Sequence, residues 1–379
     1  MKIFFIKLRN NIIGWLYKKV LKPIFFRFDP EKIHNDAVAI GKILGSNFLF
    51  RKTTTLFFGF SDKSLEQNIA GLDFKNPVGL AAGFDKNARI IGITPAVGFG
   101  FTEIGSITGE PCPGNPRPRL WRLPKSRSII VNYGLNNDGA EAVAERLAGK
   151  KYLGAIPLGV SIAKTNSCKI IGVEKEVGDY LKVARAFADI GDYLTVNISC
   201  PNVYGGQPFT ELERLNHLLS EIDNLNLQKP VFLKLPPDIP FDLVDEIIEL
   251  SEKRRISGFV CSNLTKDRSR MKIEPGEAEL VSANIGGISG KPTEELANSQ
   301  IAHIYQKTNG DKIIIGCGGI FSAEDAYKKI KLGASLVQLI TGMIFEGPQV
   351  ISEINLGLCR LLRKDGFTNI SQAVGKGIV

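Results

Sequence analysis

The hydrophobic pattern divides the chain in two. Up to residue 60 the apolar positions keep helical spacing, and from residue 77 short apolar runs alternate with longer segments of helical period. On a helical wheel Phe5, Leu8, Ile12, Trp15 and Leu16 share one side and Lys7, Asn11, Gly14 and Lys18 the other, with Lys19 out of place on the apolar side. Pro23 should break or restart that helix, because it has no N–H to donate. Asp29-Pro30-Glu31 reads as a new start, with Asp as N-cap and Pro at the first helical position. Ile33, Ala37, Ile40 and Leu44 follow at helical spacing until Gly45 ends the run. The FLF and LFFGF stretches after it read as exposed, and two short apolar helices without a partner would leave a large apolar patch.

In the body, strands are predicted near 77–82, 101–106, 158–163, 193–199, 231–235, 258–262, 313–317 and 335–340. Helices are predicted at 88–97, 138–148, 176–190, 211–225, 241–254, 293–307 and 322–332, with a last one at 348–363. This alternation predicts an α/β chain, a (β/α)8 TIM barrel over 61–379 with an N-terminal helical membrane-associating extension over 1–60. The insertion at 107–135, rich in Pro, Arg and Asn, is too long for a simple loop and should cover the barrel mouth.

Composition changes this picture in one respect. Apolar residues are 44% and charged residues 23% of the 379, as in a folded chain. The formal charge of +9 suggests a polyanion partner, but its distribution does not. Residues 1–28 hold Lys2, Lys7, Arg9, Lys18, Lys19, Lys22 and Arg27 and no acid, and the rest of the chain is nearly balanced. A basic, apolar terminus with Trp15 suits anionic headgroups, so a membrane surface is expected as partner and no nucleic acid. No window of 18 predominantly apolar residues exists, so no spanning helix is expected. Six cysteines without a C-x-x-C pair, and three histidines, give no zinc-ligand spacing, and no metal is expected.

Ligands of such barrels sit at the C-terminal strand ends. There the sequence has Gly83-Phe84-Asp85-Lys86, Asn197-Ile198-Ser199-Cys200-Pro201-Asn202, Ser262-Asn263, Gly316-Cys317-Gly318-Gly319 and Ile340-Thr341-Gly342. Lys234 lies inside an apolar strand, where an unpaired ammonium is costly, so it should face a ligand. Cys200 at a strand end is a candidate reactive thiol, against the bland reading of a packed one. Gly318-Gly319, with Ser322 as the next N-cap, would present backbone N–H groups to a phosphate.

The segments NPVGLAAGFDKN (76–87), PGNPRPRLWRL (113–123), GLNNDG (134–139), NISCPN (197–202), GGISGKP (286–292), IIIGCGGIFS (313–322) and GASLVQLITG (333–342), in this order, resemble the dihydroorotate dehydrogenase family. The leader FDPEKIH (28–34) and the basic extension resemble its membrane-associated, quinone-dependent class. The resemblance implies flavin mononucleotide (FMN) over the barrel mouth and oxidation of (S)-dihydroorotate to orotate, with electrons passed to a quinone. By resemblance, Ala82, Gly83, Lys86 and Ser106 flank flavin and substrate, Asn197 touches both, and Lys234 meets the flavin N1–C2=O edge. Gly290, Gly319, Ile340 and Thr341 hold the phosphate, and Ser262 completes the flavin site. Asn202 and Asn263 bond the pyrimidine, Cys200 is the base, and His34 and Arg122 line a quinone tunnel.

Four positions depart from the family pattern. Cys200 stands where the quinone class usually has serine and the soluble class cysteine, Val131 where a pyrimidine-contacting asparagine is expected, Ser161 for a flavin-contacting asparagine, and Leu264 for a substrate-contacting hydroxyl. Asn132 or Asn136 would then compensate as substrate ligands. The alternatives are a flavin dehydrogenase of another dihydropyrimidine and a non-catalytic binding barrel. The expected location is the cytoplasmic face of a bacterial inner membrane, with a mitochondrial inner membrane left open.

Overall fold

The computed structural model describes residues 2–149 and 155–378. It opens with a helix, Lys2–Leu16, that runs on through a wider π turn, Tyr17–Leu21, into Lys22–Phe25. Pro23 therefore does not break the helix but stands in the first turn where α-helical geometry restarts. It cannot donate to the turn before it, and the π turn, with Lys22 N–H reaching back to Tyr17 O, accommodates it. Asp29 caps the next helix as expected, accepting from Lys32 N–H, and that helix spans Pro30–Ser46. The FLF and LFF stretches are exposed, as expected, and helical: Phe48–Phe58 is a third helix, capped by Asn47, whose side chain accepts from Leu49 N–H.

A hairpin follows, β1 (Gln67–Ile69) and β2 (Leu72–Phe74). Then come β3 (Val78–Leu80), β4 (Phe101–Ile107), β5 (Leu120–Leu123), β6 (Ser128–Val131), β7 (Leu158–Ile162), β8 (Tyr193–Asn197), β9 (Val231–Leu235), β10 (Gly258–Cys261), β11 (Gly287–Gly290), β12 (Ile313–Cys317) and β13 (Leu336–Leu339). β3, β4, β7, β8, β9, β10, β12 and β13 close a parallel barrel in chain order. They coincide with the eight strands the sequence predicts, and their apolar runs are buried, as strands covered on both faces require. The helices 140–147, 173–186, 212–224, 241–252, 294–307, 323–331 and 350–364 surround it.

Two parts of the expectation fail. Between β3 and β4 only Thr94–Val97 is helical, not 88–97. The buried Asp85 carboxylate accepts from the N–H groups of Arg89 and Ile90, both at 2.8 Å, and curls that segment into a loop, with Ala88 at φ +55°. The periodicity also missed a small sheet: within the insertion β5 and β6 pair antiparallel, and β11 joins β6.

The barrel is filled in layers. At its foot Phe74, Phe101, Tyr193, Phe232, Val260, Ile315 and Leu336 cluster, with Ile69 and Leu72 of the hairpin against them. Above them the buried Glu103 Oε2 accepts from Tyr193 Oη (3.2 Å), Thr195 Oγ1 (3.0 Å) and Gln338 Nε2 (3.1 Å). The opposite end is the open one.

Candidate active site

One cavity of about 760 Å³ begins at the C-terminal strand ends and runs out between the N-terminal helices. Its inner wall includes Ala82, Gly83, Lys86, Ser106, Asn197, Cys200, Asn202, Lys234, Ser262, Asn263, Gly290, Gly319, Ile340 and Thr341. Its outer wall includes Tyr17, Leu21, Phe25, Ile33, His34, Ala37, Ile40, Phe58 and Arg122. β5 and β6 close one flank with Leu120, Ile129 and Val131.

The register of the barrel sets Lys234 beside Asn197 on one side and Val260 on the other. Lys234 is only 4% exposed, and its ammonium has no hydrogen-bond partner among the described residues. An ammonium so placed suits an electron-rich group in the cavity. Asn197 belongs to a polar chain along the rim. Ser106 and Ser161 hydroxyls bond at 2.7 Å, Asn197 Nδ2 donates to Ser106 Oγ at 2.7 Å, and Ser199 Oγ donates to Asn197 Oδ1 at 2.8 Å. Asn263 Nδ2 donates to Ser199 Oγ at 2.8 Å.

Cys200 follows directly on this chain. Burial pushes its thiol up to about 11, while the Asn202 N–H and the charges of Lys266 and Lys234 pull it back. Lys86 Nζ lies 3.1 Å from His34 Nε2 and 4.0 Å from the centre of the Tyr133 ring. Burial lowers Lys86 to about 8. Burial, and then the Lys86 charge, hold His34 well below its usual range, so its ring is neutral and can accept from the ammonium.

Three of the sequence candidates behave differently. Ser161 is fully buried and reaches the site only through Ser106. Asn132 lies outside the cavity lining, because its side chain accepts from Asn115 Nδ2 at 3.0 Å. Asn136 lines the cavity, but its amide donates to Cys112 O and Pro113 O, at 3.3 and 2.9 Å. Asn202 Nδ2 donates to Val131 O at 2.8 Å and its Oδ1 is unpaired.

Sequence reasoning missed Tyr133, Ser289 and Gln338, all in the cavity wall. Gln338 carried a signal, a buried amide inside the apolar run SLVQLI, of the same kind that singled out Lys234. Also missed was the pair that seats the second helix: Arg119 grips Glu31 with Nε and Nη2 at 3.1 and 2.8 Å, both side chains buried, and Arg117 adds a contact at 2.9 Å.

Comparison with known proteins gives a consistent result. The family model for dihydroorotate dehydrogenase matches residues 64–362. A dihydroorotate dehydrogenase (quinone) of Gloeobacter violaceus is 39% identical over 358 residues, 94% of this chain and 98% of that protein. One of Crocosphaera subtropica is 42% identical over 323 residues, 84% of each. Among solved structures, the ligand-free enzyme of Eimeria tenella superposes with a TM-score of 0.80 at 30% identity, covering 92% of this chain and 99% of that one.

Proposed function

The chain belongs to the dihydroorotate dehydrogenase family, and from that premise we propose that it oxidises (S)-dihydroorotate to orotate in pyrimidine synthesis and delivers the electrons to a quinone. FMN is the family's cofactor, and the residues here fit it. The unpartnered Lys234 ammonium suits the electron-rich edge of a reduced flavin, and a side chain built at Gly83 would meet only Ile340 Cδ1, at 3.8 Å, leaving room for a ring. Gly290, Gly319, Ile340 and Thr341 would hold the phosphate end, with Ala82, Lys86, Ser106, Asn197 and Ser262 around the ring. When bound, the flavin would supply the two-electron acceptor for a hydride and the redox link to a quinone.

The chain's own residues do the rest. Cys200, as thiolate, takes the C5 proton of dihydroorotate; an S–H bond forms and the C5–H pair becomes the C5=C6 bond. The C6 hydrogen leaves as hydride with the electrons of its bond, towards the two-electron acceptor, and the thiol later returns its proton to solvent. Lys86 would meet the substrate carboxylate, and Asn197, Asn202 and Asn263 the ring. Asn202 Oδ1, buried and unpaired, suits a ring N–H. The observation that carries the reading is Lys234, a buried ammonium without an acceptor, lining the same cavity as Cys200.

The quinone would enter past His34 and Arg122 between the N-terminal helices. Those helices turn their apolar sides outward, which supports peripheral attachment, on the cytoplasmic face of a bacterial inner membrane. No helix among the described residues is long and apolar enough to cross a membrane.

Anaerobic mixing with dihydroorotate should bleach the flavin absorbance within one turnover, and added quinone should restore it. An unchanged spectrum with dihydroorotate, but bleaching by another dihydropyrimidine, would reassign the substrate.

A further inference from the structure

The loop that carries Cys200 is held by its carbonyls. Ser199 O accepts from Gln207 Nε2 (2.9 Å) and Asn263 Nδ2 (3.2 Å), and Pro201 O from Lys266 Nζ (2.7 Å). Asn202 O accepts from Asn115 Nδ2 (3.0 Å) and Tyr204 O from Lys164 Nζ (3.0 Å). Two of these donors are ammonium groups, and they differ in one respect. Lys164 is neutralised, since its Nζ also bonds Glu176 Oε1 at 2.7 Å and both side chains are buried. Lys266 has no carboxylate within ion-pair distance among the described residues, and it is exposed. The carbonyl it holds belongs to the residue directly after Cys200.

We propose that Lys266 is a positioning residue for the base: its bond to the Pro201 carbonyl fixes the Cys200 loop and holds an unpaired positive charge on the residue next to the thiol, favouring the thiolate over the thiol. This rests on the reading of Cys200 as the base. The charge acts in the direction catalysis needs, because burial opposes thiolate formation and Lys266 counters it. The other titratable groups facing the thiol are Lys234 from β9, Cys112 from the insertion and Tyr180 from the helix Val173–Ala186. Tyr180 is kept neutral by burial and donates to Asn197 O at 2.8 Å, and Cys112 donates to Gly134 O at 3.3 Å. Lys234 lines the cavity, whereas Lys266 does not, so Lys266 can be changed without touching substrate or cofactor.

The test is the pH profile of anaerobic flavin reduction by dihydroorotate in the holoenzyme, for the parent, K266R, K266M and K266E, at low and high salt. The apparent pKa of the base should rise in K266M and further in K266E, while K266R stays with the parent. At pH 7, K266M should reduce flavin about two- to fivefold more slowly. High salt should move the parent profile towards that of K266M and leave K266M in place, because an exposed charge is screened. Flavin content and orotate affinity should not change. A K266M profile superimposed on the parent's, or a slower K266M with an unmoved pKa, would overturn the inference. Should K266M and K266E not fold, the parent's salt dependence decides alone, and a salt-independent pKa overturns it. Cys200→Ala, run alongside, separates the two levels. Reduction at the parental rate removes the base assignment and this inference together, whereas slow reduction with an unmoved K266M profile removes only Lys266.

Discussion

Replacing Cys200 with alanine removes the thiol but leaves Asn197 and Lys234 where they are. Flavin content should therefore hold, while stopped-flow flavin reduction falls by about 10²–10⁴-fold. Lys234→Ala should do the reverse and lower the flavin retained through purification, because on the proposed reading the ring edge would lose the buried ammonium of β9. Lys86 gives a pH signature. Burial lowers it to about 8, and an anionic ligand beside it favours the charged form and raises it. Orotate binding then takes up a proton above pH 8. Affinity measured by titration should be flat below that value and weaken as pH rises through it. The place of Lys234 in the cavity wall is legible in the sequence because a charge inside an apolar strand is costly to bury and so points to a polar opening. The Lys86–His34 contact is not, since its two partners lie on separate elements and only the fold brings them within 3.1 Å. Asn132 escapes a sequence reading for the same reason: nothing local says that Asn115 claims its amide oxygen.

At the scale of elements, the parallel strands can be read because each is a short buried run with turn residues around it. The segments that resist are those whose structure is set by contacts outside themselves. Residues 88–93 curl around a buried carboxylate, and β11 is a strand only because β6 offers it an edge. The second N-terminal helix is seated by Glu31. Burial works against this carboxylate, but the hydrogen bonds and charges of Arg119 and Arg117 hold it below the usual range. The stability it confers is present above the ordinary carboxylate pKa and lost as pH falls through the lowered folded value. Glu31→Ala leaves Arg119 buried without a partner and should cost about 3–5 kcal/mol, measured by denaturant unfolding. Adding Arg119→Met should recover part of that loss.

At the scale of the molecule, the first helix is turned the opposite way from a helix of a globular core. Asn10 and Gly14 face the body, Asn10 donating to Ser352 Oγ at 3.1 Å, while Phe5 is 58% and Trp15 62% exposed. Among the described residues the other exposed large hydrophobics also concentrate in residues 3–57, with only Ile171, Tyr204, Phe241, Leu280 and Ile285 elsewhere. Substituting Phe5, Leu8, Ile12 and Trp15 by polar residues should release the protein from anionic vesicles in a flotation assay. Flavin reduction by dihydroorotate should be unaffected; retention on the vesicles would refute the attachment. The periodicity shows which face is apolar but not that it points away from the body. The hairpin Gln67–Phe74, with Ile69, Leu72 and Phe74 wedged into the aromatic floor, works as a cork. A vessel stoppered below is filled from above, and among the described residues the cavity opens towards the outward-turned helices, so water-borne and lipid-borne cargo would meet in the same space.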